Sequence, residues 1–485
     1  MITKNNKKNR GSLIVQALVF GSVAILIIGA FATYAATSLK ISRLTYIKEQ
    51  AFQASEAGID YYRWHLAHAV SDYQDGTGGA GPYVHPVQDK DGNTVGQFSL
   101  TITAPTQGSS LVKIRSSGTA TVDSSQIRTI ETRVAMPSIA ENAFAGNDAM
   151  RFGAGTVVFG SIKSNGGIRF DGVAHNVVSS GVATYTDPDG NCSGSGNASG
   201  NYGVHTCVSP ADPKSPSALS AHSDVFAAGR KMSQPTIDFS GFTADIGNLK
   251  TLAQTTSGFY RAAAGNGYVG YHIVLKTNDT FDLYKINSWA SVGACNGSGS
   301  ESSSWSINTQ TLQGNYAFPT NGVIFVQDHL VIDGKINTAR LTIVAALLPE
   351  PASSQYKNII INNDLTYTNF DGTDSIGLVA QKGVMVGLFS EDNLIINGAL
   401  MAQHNSVGRF KYLGNSSCTY KSRSMITLYG MIASYARYGF AYTGSPATGY
   451  ITRTINYDAN MLYAPPPSFP LTSNQYQILS WQEIK

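Results

Sequence analysis

The stretch GSLIVQALVFGSVAILIIGAFATYAATSL, Gly11 to Leu39, contains no charged residue, and Lys4, Lys7, Lys8 and Arg10 precede it. At about 1.5 Å per residue, a helix of this length exceeds the roughly 30 Å hydrocarbon core of a bilayer. The basic flank holds the N-terminus on the cytoplasmic side. A secretory signal peptide carries its cleavage site after the apolar run. Here the candidate junction, Arg10-Gly11-Ser12-Leu13-Ile14, comes before it, so processing there leaves the apolar segment on the mature chain.

Helical periodicity continues beyond Leu39, with Ile41, Leu44, Ile47, Ala51, Ala54, Ile59, Tyr62 and Leu66 recurring at steps of three to five. The pattern predicts one helix over 12–70. Its second half is amphipathic, with Arg43, Lys48, Glu49, Glu56, Asp60 and Arg63 on the opposite face. Asp75-Gly76-Thr77-Gly78-Gly79 ends it. Gln97–Thr103, Val112–Val122 and Thr129–Ala135 alternate or are β-branched, and Gly, Ser and Asp separate them. They predict a small antiparallel meander at 71–137, on which the amphipathic helix packs as a two-layer α+β unit. Met136-Pro137-Ser138 reads as the exit linker.

From about Glu141 the chain changes to short apolar runs punctuated by Asn-Gly and Asp-Gly. Ser164–Gly172, Leu330–Ile336, Leu341–Ala345, Ile359–Asn362, Ile376–Val386, Leu394–Ala402 and Met425–Ala433 are the clearest. Their spacing predicts a β-rich distal domain at 138–485 in which each strand buries its face by stacking on the next, a β-solenoid, with a β-sandwich as the alternative. A long insertion is expected at about 187–305, with a lone helix at Phe242–Ala253 inside it.

Composition agrees. The chain has 485 residues, 49 of them Gly, and only 13% are charged, which suits strand-rich extracellular architecture better than a helical cytosolic enzyme. Formal net charge is +3, from 34 cations and 31 anions. Removing the four leader cations leaves 30 minus 31, or −1, so bulk charge selects no acidic partner. Cys192, Cys207, Cys295 and Cys418 all follow the membrane segment, in loops where an outward-facing compartment favours disulfides over free thiols. We pair Cys192 with Cys207 and Cys295 with Cys418, one of three connectivities open to four cysteines. No cysteine pair has the short spacing of a zinc knuckle, so no metal is expected.

One segment departs from this even charge. Leu394–Tyr457 has no Asp or Glu, yet it carries Arg409, Lys411, Lys421, Arg423, Arg437 and Arg453 among Tyr412, Tyr420, Tyr429, Tyr435, Tyr438, Tyr442, Tyr450 and Tyr457. Interleaved cations and rings suit a nucleic-acid strand or an anionic glycan. Arg409, Lys411, Tyr412, Lys421, Arg423, Tyr435, Arg437 and Tyr438 are the candidate ligand residues. Cations paired with acids from other strands are the structural alternative. Asp89-Lys90-Asp91-Gly92-Asn93 and Asp187-Pro188-Asp189-Gly190-Asn191 have spaced oxygen donors, but they read as turns, since neither has a distal bidentate Glu. The chain has no Gly-x-Ser-x-Gly elbow, no His-Glu-x-x-His and no phosphate loop, and no cofactor is expected. A polysaccharide-degrading enzyme would need convergent carboxylates. Asp328, Asp333, Asp364 and Asp371 are available, and turn chemistry accounts for most of them.

The basic leader ending in Gly11, the long apolar helix, and Gln50-Ala51-Phe52-Gln53-Ala54-Ser55-Glu56-Ala57-Gly58-Ile59 together resemble a type IV pilin or pseudopilin of the PilX-like minor class. The last stretch resembles that family's Ala-Glu-Ala-Gly signature, with Ser55 in place of the first Ala. The resemblance covers about the first 75 residues. It implies cleavage by prepilin peptidase between Gly11 and Ser12, methylation of the Ser12 amine, and passage from the inner membrane into a pilus on the cell surface. It also implies partnership with other pilins through the helix and with the inner-membrane assembly platform. Gln16 departs from the family, whose major pilins place a glutamate at the fifth mature position to offset a neighbour's N-terminal ammonium. An amide cannot supply that charge inside an apolar core, which points to a subunit at or near the filament tip. A minor pseudopilin of a secretion system and a single-pass surface adhesin are the alternatives.

Overall fold

A computed structural model describes residues 12–105, 109–190, 192, 196–239, 242–442, 447–473 and 475–484. The leader and Gly11 lie outside the described residues. The chain forms two compact units, one of residues 1–104, 112–134 and 480–485, the other of 105–111 and 135–479.

The first unit is built on α1, a single helix from Ser12 to His68. Its apolar half is exposed along its whole length and is long and apolar enough to cross a membrane. From Ile47 the helix turns a buried stripe toward a sheet, with Ile47, Ala51, Ala54, Ile59, Tyr62 and Leu66 all buried at helical spacing. The sheet is an antiparallel meander of β1 (Tyr83–Gln88), β2 (Thr94–Thr103), β3 (Val112–Ala120) and β4 (Asp123–Ala135). Alternate residues Phe98, Leu100, Ile114, Ser116, Ile130, Thr132 and Val134 face inward and are buried.

Two glycines let helix and sheet touch. A Cβ on Gly118 would lie 2.1 Å from the Ala51 carbonyl and 2.4 Å from the Ser55 amide, and one on Gly58 would lie 2.2 Å from Ser116 Oγ. Both close approaches, at Ala51 to Ser55 and at Gly58, fall within Gln50–Ile59, the stretch that carries the family resemblance. A fifth strand, Gln477–Ile484, pairs beside β4, so the distal unit is inserted into the meander and does not simply follow it. In that strand Glu483 pairs with Arg128, and Trp481 meets Phe52 edge-on at 6.1 Å.

The second unit is a stack of parallel strands. One ladder runs, in spatial order, through 259–261, 323–326, 342–345, 377–380, 399–402, 431–434, 144–146, 162–164, 178–180 and 230–231. Its inward positions, from Ile324, Ile343, Leu378, Leu400 and Ile432 to Phe144, Ile162 and Val178, form one continuous core. The outward positions Phe325, Val344, Val379, Met401 and Ala433 are buried as well, under Ile246, Leu249 and Ala253 of the helix Phe242–Ala253 and under Ile237, Phe239, Met461 and Phe469. Burial on both sides explains why Val323-Ile324-Phe325-Val326 reads as an unbroken apolar run. A second ladder stacks Leu365, Ile396, Leu428, Ile455, Val158 and Ala174, and a third stacks Tyr271, Leu330, Ile359, Val384 and Val407.

Spatial order is not chain order. The strands of 144–231, earliest in the sequence of this unit, continue the stack beyond those of 431–457, which come last in it. The intervening segment returns along the outer face. Ile237 exchanges hydrogen bonds with the Asn165 amide side chain at 2.7 Å, and the far end of the returning helix accepts Asn321 Nδ2 at the Leu252 carbonyl, 3.0 Å away. The expected insertion at 187–305 is thus not an excursion, since it contains this return and the strands Phe259–Arg261 and Gly270–Leu275 that restart the stack. An antiparallel hairpin, Thr280–Trp289 with Ile307–Ala317, then closes that end.

Disulfides join Cys192 to Cys207 and Cys295 to Cys418. The second staples the hairpin loop 290–306 along the outside of the stack, where Trp305 stacks on Phe410 at 5.3 Å and the Asn362 amide donates to the Trp305 carbonyl.

Candidate functional site

The eight basic and aromatic candidates separate by burial. Arg409 is fully buried, and its guanidinium donates to the carbonyls of Lys421 (2.9 Å), Leu388 (3.1 Å) and Tyr420 (2.7 Å). Burial pulls its pKa down to about 10, so it remains charged at neutral pH but faces no solvent. Tyr412 is fully buried and donates its hydroxyl to the Ser303 and Ser304 carbonyls. Arg409 is an internal strut between Leu388 and the 420–421 turn, and Tyr412 holds the stapled loop, in keeping with the rule that buried charge and hydroxyl find partners. Lys421 reaches the Asn415 carbonyl at 3.3 Å, Arg423 stacks over Tyr420 at 4.6 Å, and Tyr435 meets Phe239 edge-on.

Lys411, Arg437 and Tyr438 come together. They line a cleft of about 440 Å³ with Gly153, Thr156, Arg151, Asp189, Ser406, Gly439, Phe440, Ala441, Tyr442 and Arg453. The cleft lies on the seam where strands early in the sequence of this unit meet strands late in it. Met150–Phe152 carries Arg151, a hairpin of Thr184–Asp187 with Ala198–Tyr202 carries Asp189 in its turn, and Thr448–Tyr457 carries Arg453.

The charges are cross-linked. Arg437 pairs with Asp189, and Arg151 approaches Asp189 at 3.6 Å and Asp171 at 3.9 Å. Behind them Arg169 bonds Asp171 at 2.8 Å, and Asp187 faces His205 at 3.4 Å and Arg169 at 3.8 Å. Burial raises the pKa of Asp187, but bonds from His205 and the Asp189 amide, with the Arg169 charge, outweigh it and hold the carboxyl below its usual range. Arg453 is committed to the carbonyls of Tyr450, Ile451 and Ala154. Lys411 is exposed, 5.7 Å from the Tyr442 ring. Tyr438 is 5% exposed, burial pushes its pKa up, and its hydroxyl has no hydrogen-bond partner among the described residues.

Arg151 and Asp189 were not readable as site residues, because they lie more than 200 residues from Lys411 and only the non-sequential stacking brings them there. Of the turn motifs, Asp89 accepts the Asp91 and Asn93 amides, and Asp187 accepts the Asp189 amide. Asp328 accepts Lys357, Asp333 faces His272 and Asp364 accepts the Ile395 amide, all partners from distant parts of the chain, while Asp371 accepts the Thr373 amide within its own turn. Ser12 begins α1, and Gln16 lies exposed on it.

No family model matches this chain, and no curated protein does. Among solved structures, the crystal structure of the competence-associated pilin ComZ from Thermus thermophilus aligns over 90% of this chain and 98% of its own, at 13% identity and a TM-score of 0.29. That superposition is too loose to establish a shared fold.

Proposed function

We propose that this chain is a minor or tip subunit of a type IV pilus-like filament, PilX-like in kind, that enters the inner membrane as a prepilin. The observation supporting it is the division of α1. One half presents Leu13, Ile14, Leu18, Phe20, Ile25, Leu26, Ile28 and Phe31 outward with no cover among the described residues, and the other half is locked under a meander. An apolar stripe of that length needs lipid first and neighbouring helices afterwards. Gln16, without a carboxylate, suits a position with no subunit above it. Prepilin peptidase, the assembly platform and other pilins are the partners this reading requires. The parallel stack, read as a β-solenoid interrupted once, is the part displayed at the surface, for adhesion or DNA capture. Near the two ends of the second unit's main stretch of chain, Ser138 pairs with Leu471.

Immunogold labelling of sheared filaments tests the proposal. Label at filament ends is expected. Even label along the shaft overturns the tip position, and absence from the filament fraction overturns the subunit role.

A further inference from the structure

We propose that the seam cleft binds a carboxylated sugar unit of a surface glycan. This rests on the display reading and specifies its ligand. A cleft of about 440 Å³ falls in the small-ligand range. It holds a sugar or two, not a polymer strand. The half-buried Tyr442 supplies ring surface for sugar C–H groups, and Ser406 and Asp189 supply polar atoms for hydroxyls, while Phe440 and Tyr438 line the cleft as buried side chains.

The charge left over fixes the ligand's sign and size. Arg453 is spent on carbonyls and Arg437 on Asp189. Arg151 holds its carboxylates only at 3.6 and 3.9 Å, and its Nε is buried with no partner among the described residues. Lys411 lines the cleft, is exposed and, among the described residues, has the Tyr442 ring beside it at 5.7 Å. Two under-used cations match one carboxylate. The buried, unpartnered Tyr438 hydroxyl is a further polar group awaiting a bond, a state that native interiors rarely leave unfilled. A nucleic-acid strand needs a continuous basic track. Arg409 is interior, Arg423 is stacked on Tyr420 and Lys421 is tied to Asn415, so the track is broken.

The test is calorimetry on the full chain in detergent with galacturonic, glucuronic and N-acetylneuraminic acids, their neutral counterparts, and a short oligothymidylate. At least one acid should bind at millimolar concentration or better, its neutral counterpart at least about tenfold more weakly. Lys411→Glu, at an exposed position, and Tyr438→Phe, which removes only the hydroxyl, should each weaken binding several-fold. No acid binding, equal binding of acid and neutral sugar, or a preference for the oligonucleotide overturns the proposal. Sugar binding by a chain that never enters filaments discards the display reading and keeps the site; filament incorporation without sugar binding discards the site alone.

Discussion

Gly118→Ala should undock the lower half of α1. The added Cβ would sit 2.1 Å from the Ala51 carbonyl oxygen and 2.4 Å from the Ser55 amide nitrogen, against an ordinary approach of about 3.5 Å or more. Both obstacles are helix backbone, which cannot rotate aside, so the helix must retreat by roughly 1 Å and loosen Ile47, Ala51, Ala54 and Ile59 from the sheet. Overpacking of this kind costs about 1–3 kcal/mol, and an immovable obstacle puts the cost near the upper end. A loss of about 3 kcal/mol corresponds to roughly a hundredfold faster amide exchange across 47–66 in the solubilised chain. Gly29→Ala is the control, because nothing lies within 4 Å of its Cβ. In a helix interior that change should stabilise by up to about 1 kcal/mol. Unchanged protection in the Gly118 variant would refute the close-contact account of the helix–sheet interface.

Three further outcomes follow from the second unit. Arg409→Met should destabilise by about 3–5 kcal/mol in urea titration, because three buried carbonyls lose their donor, whereas Lys411→Met should change stability by less than about 0.5 kcal/mol. His329 accepts the Asn358 amide at Nδ1, 3.0 Å away, and burial, together with the Lys357 and Lys382 charges, holds its pKa down to about 4, while Asp328 opposes them. Between about pH 6.5 and 4 the unfolded chain therefore binds the proton that the folded chain refuses, so stability from this group is present above that window and is lost as pH falls through it. His329→Gln should flatten that part of the pH–stability curve. Replacing Cys295 and Cys418 by Ser should cost about 2–5 kcal/mol and free the 290–306 loop, read as increased quenching of Trp305 fluorescence.

Local chemistry made much of this fold legible. The 3.6-residue rhythm from Ile41 to Leu66 identified α1 to within two residues of His68, and β-branched alternation identified β2, β3 and β4. β1 was missed because Pro86 interrupts it, which an edge strand tolerates. The terminal strand Gln477–Ile484 was missed because its partner β4 lies some 350 residues earlier, and nothing in its own composition names that partner. The stacked strands were visible as apolar runs, yet their order was not, since the joining of Ile432 to Phe144 is a long-range choice of register. The same limit governed the site. Tyrosines and cations interleave from Arg409 to Arg453, but alternation along the chain does not say which side chains turn inward. Arg409 and Tyr412 went to the interior, and Lys411 and Arg437 to the cleft.

The account stands most directly on the N-terminus of the protein recovered from cells with and without prepilin peptidase, read by mass spectrometry. A mature chain beginning at Ser12, present only when the peptidase is present, is the predicted result. An uncut leader in both strains would contradict the filament-subunit account and leave α1 as a plain membrane anchor.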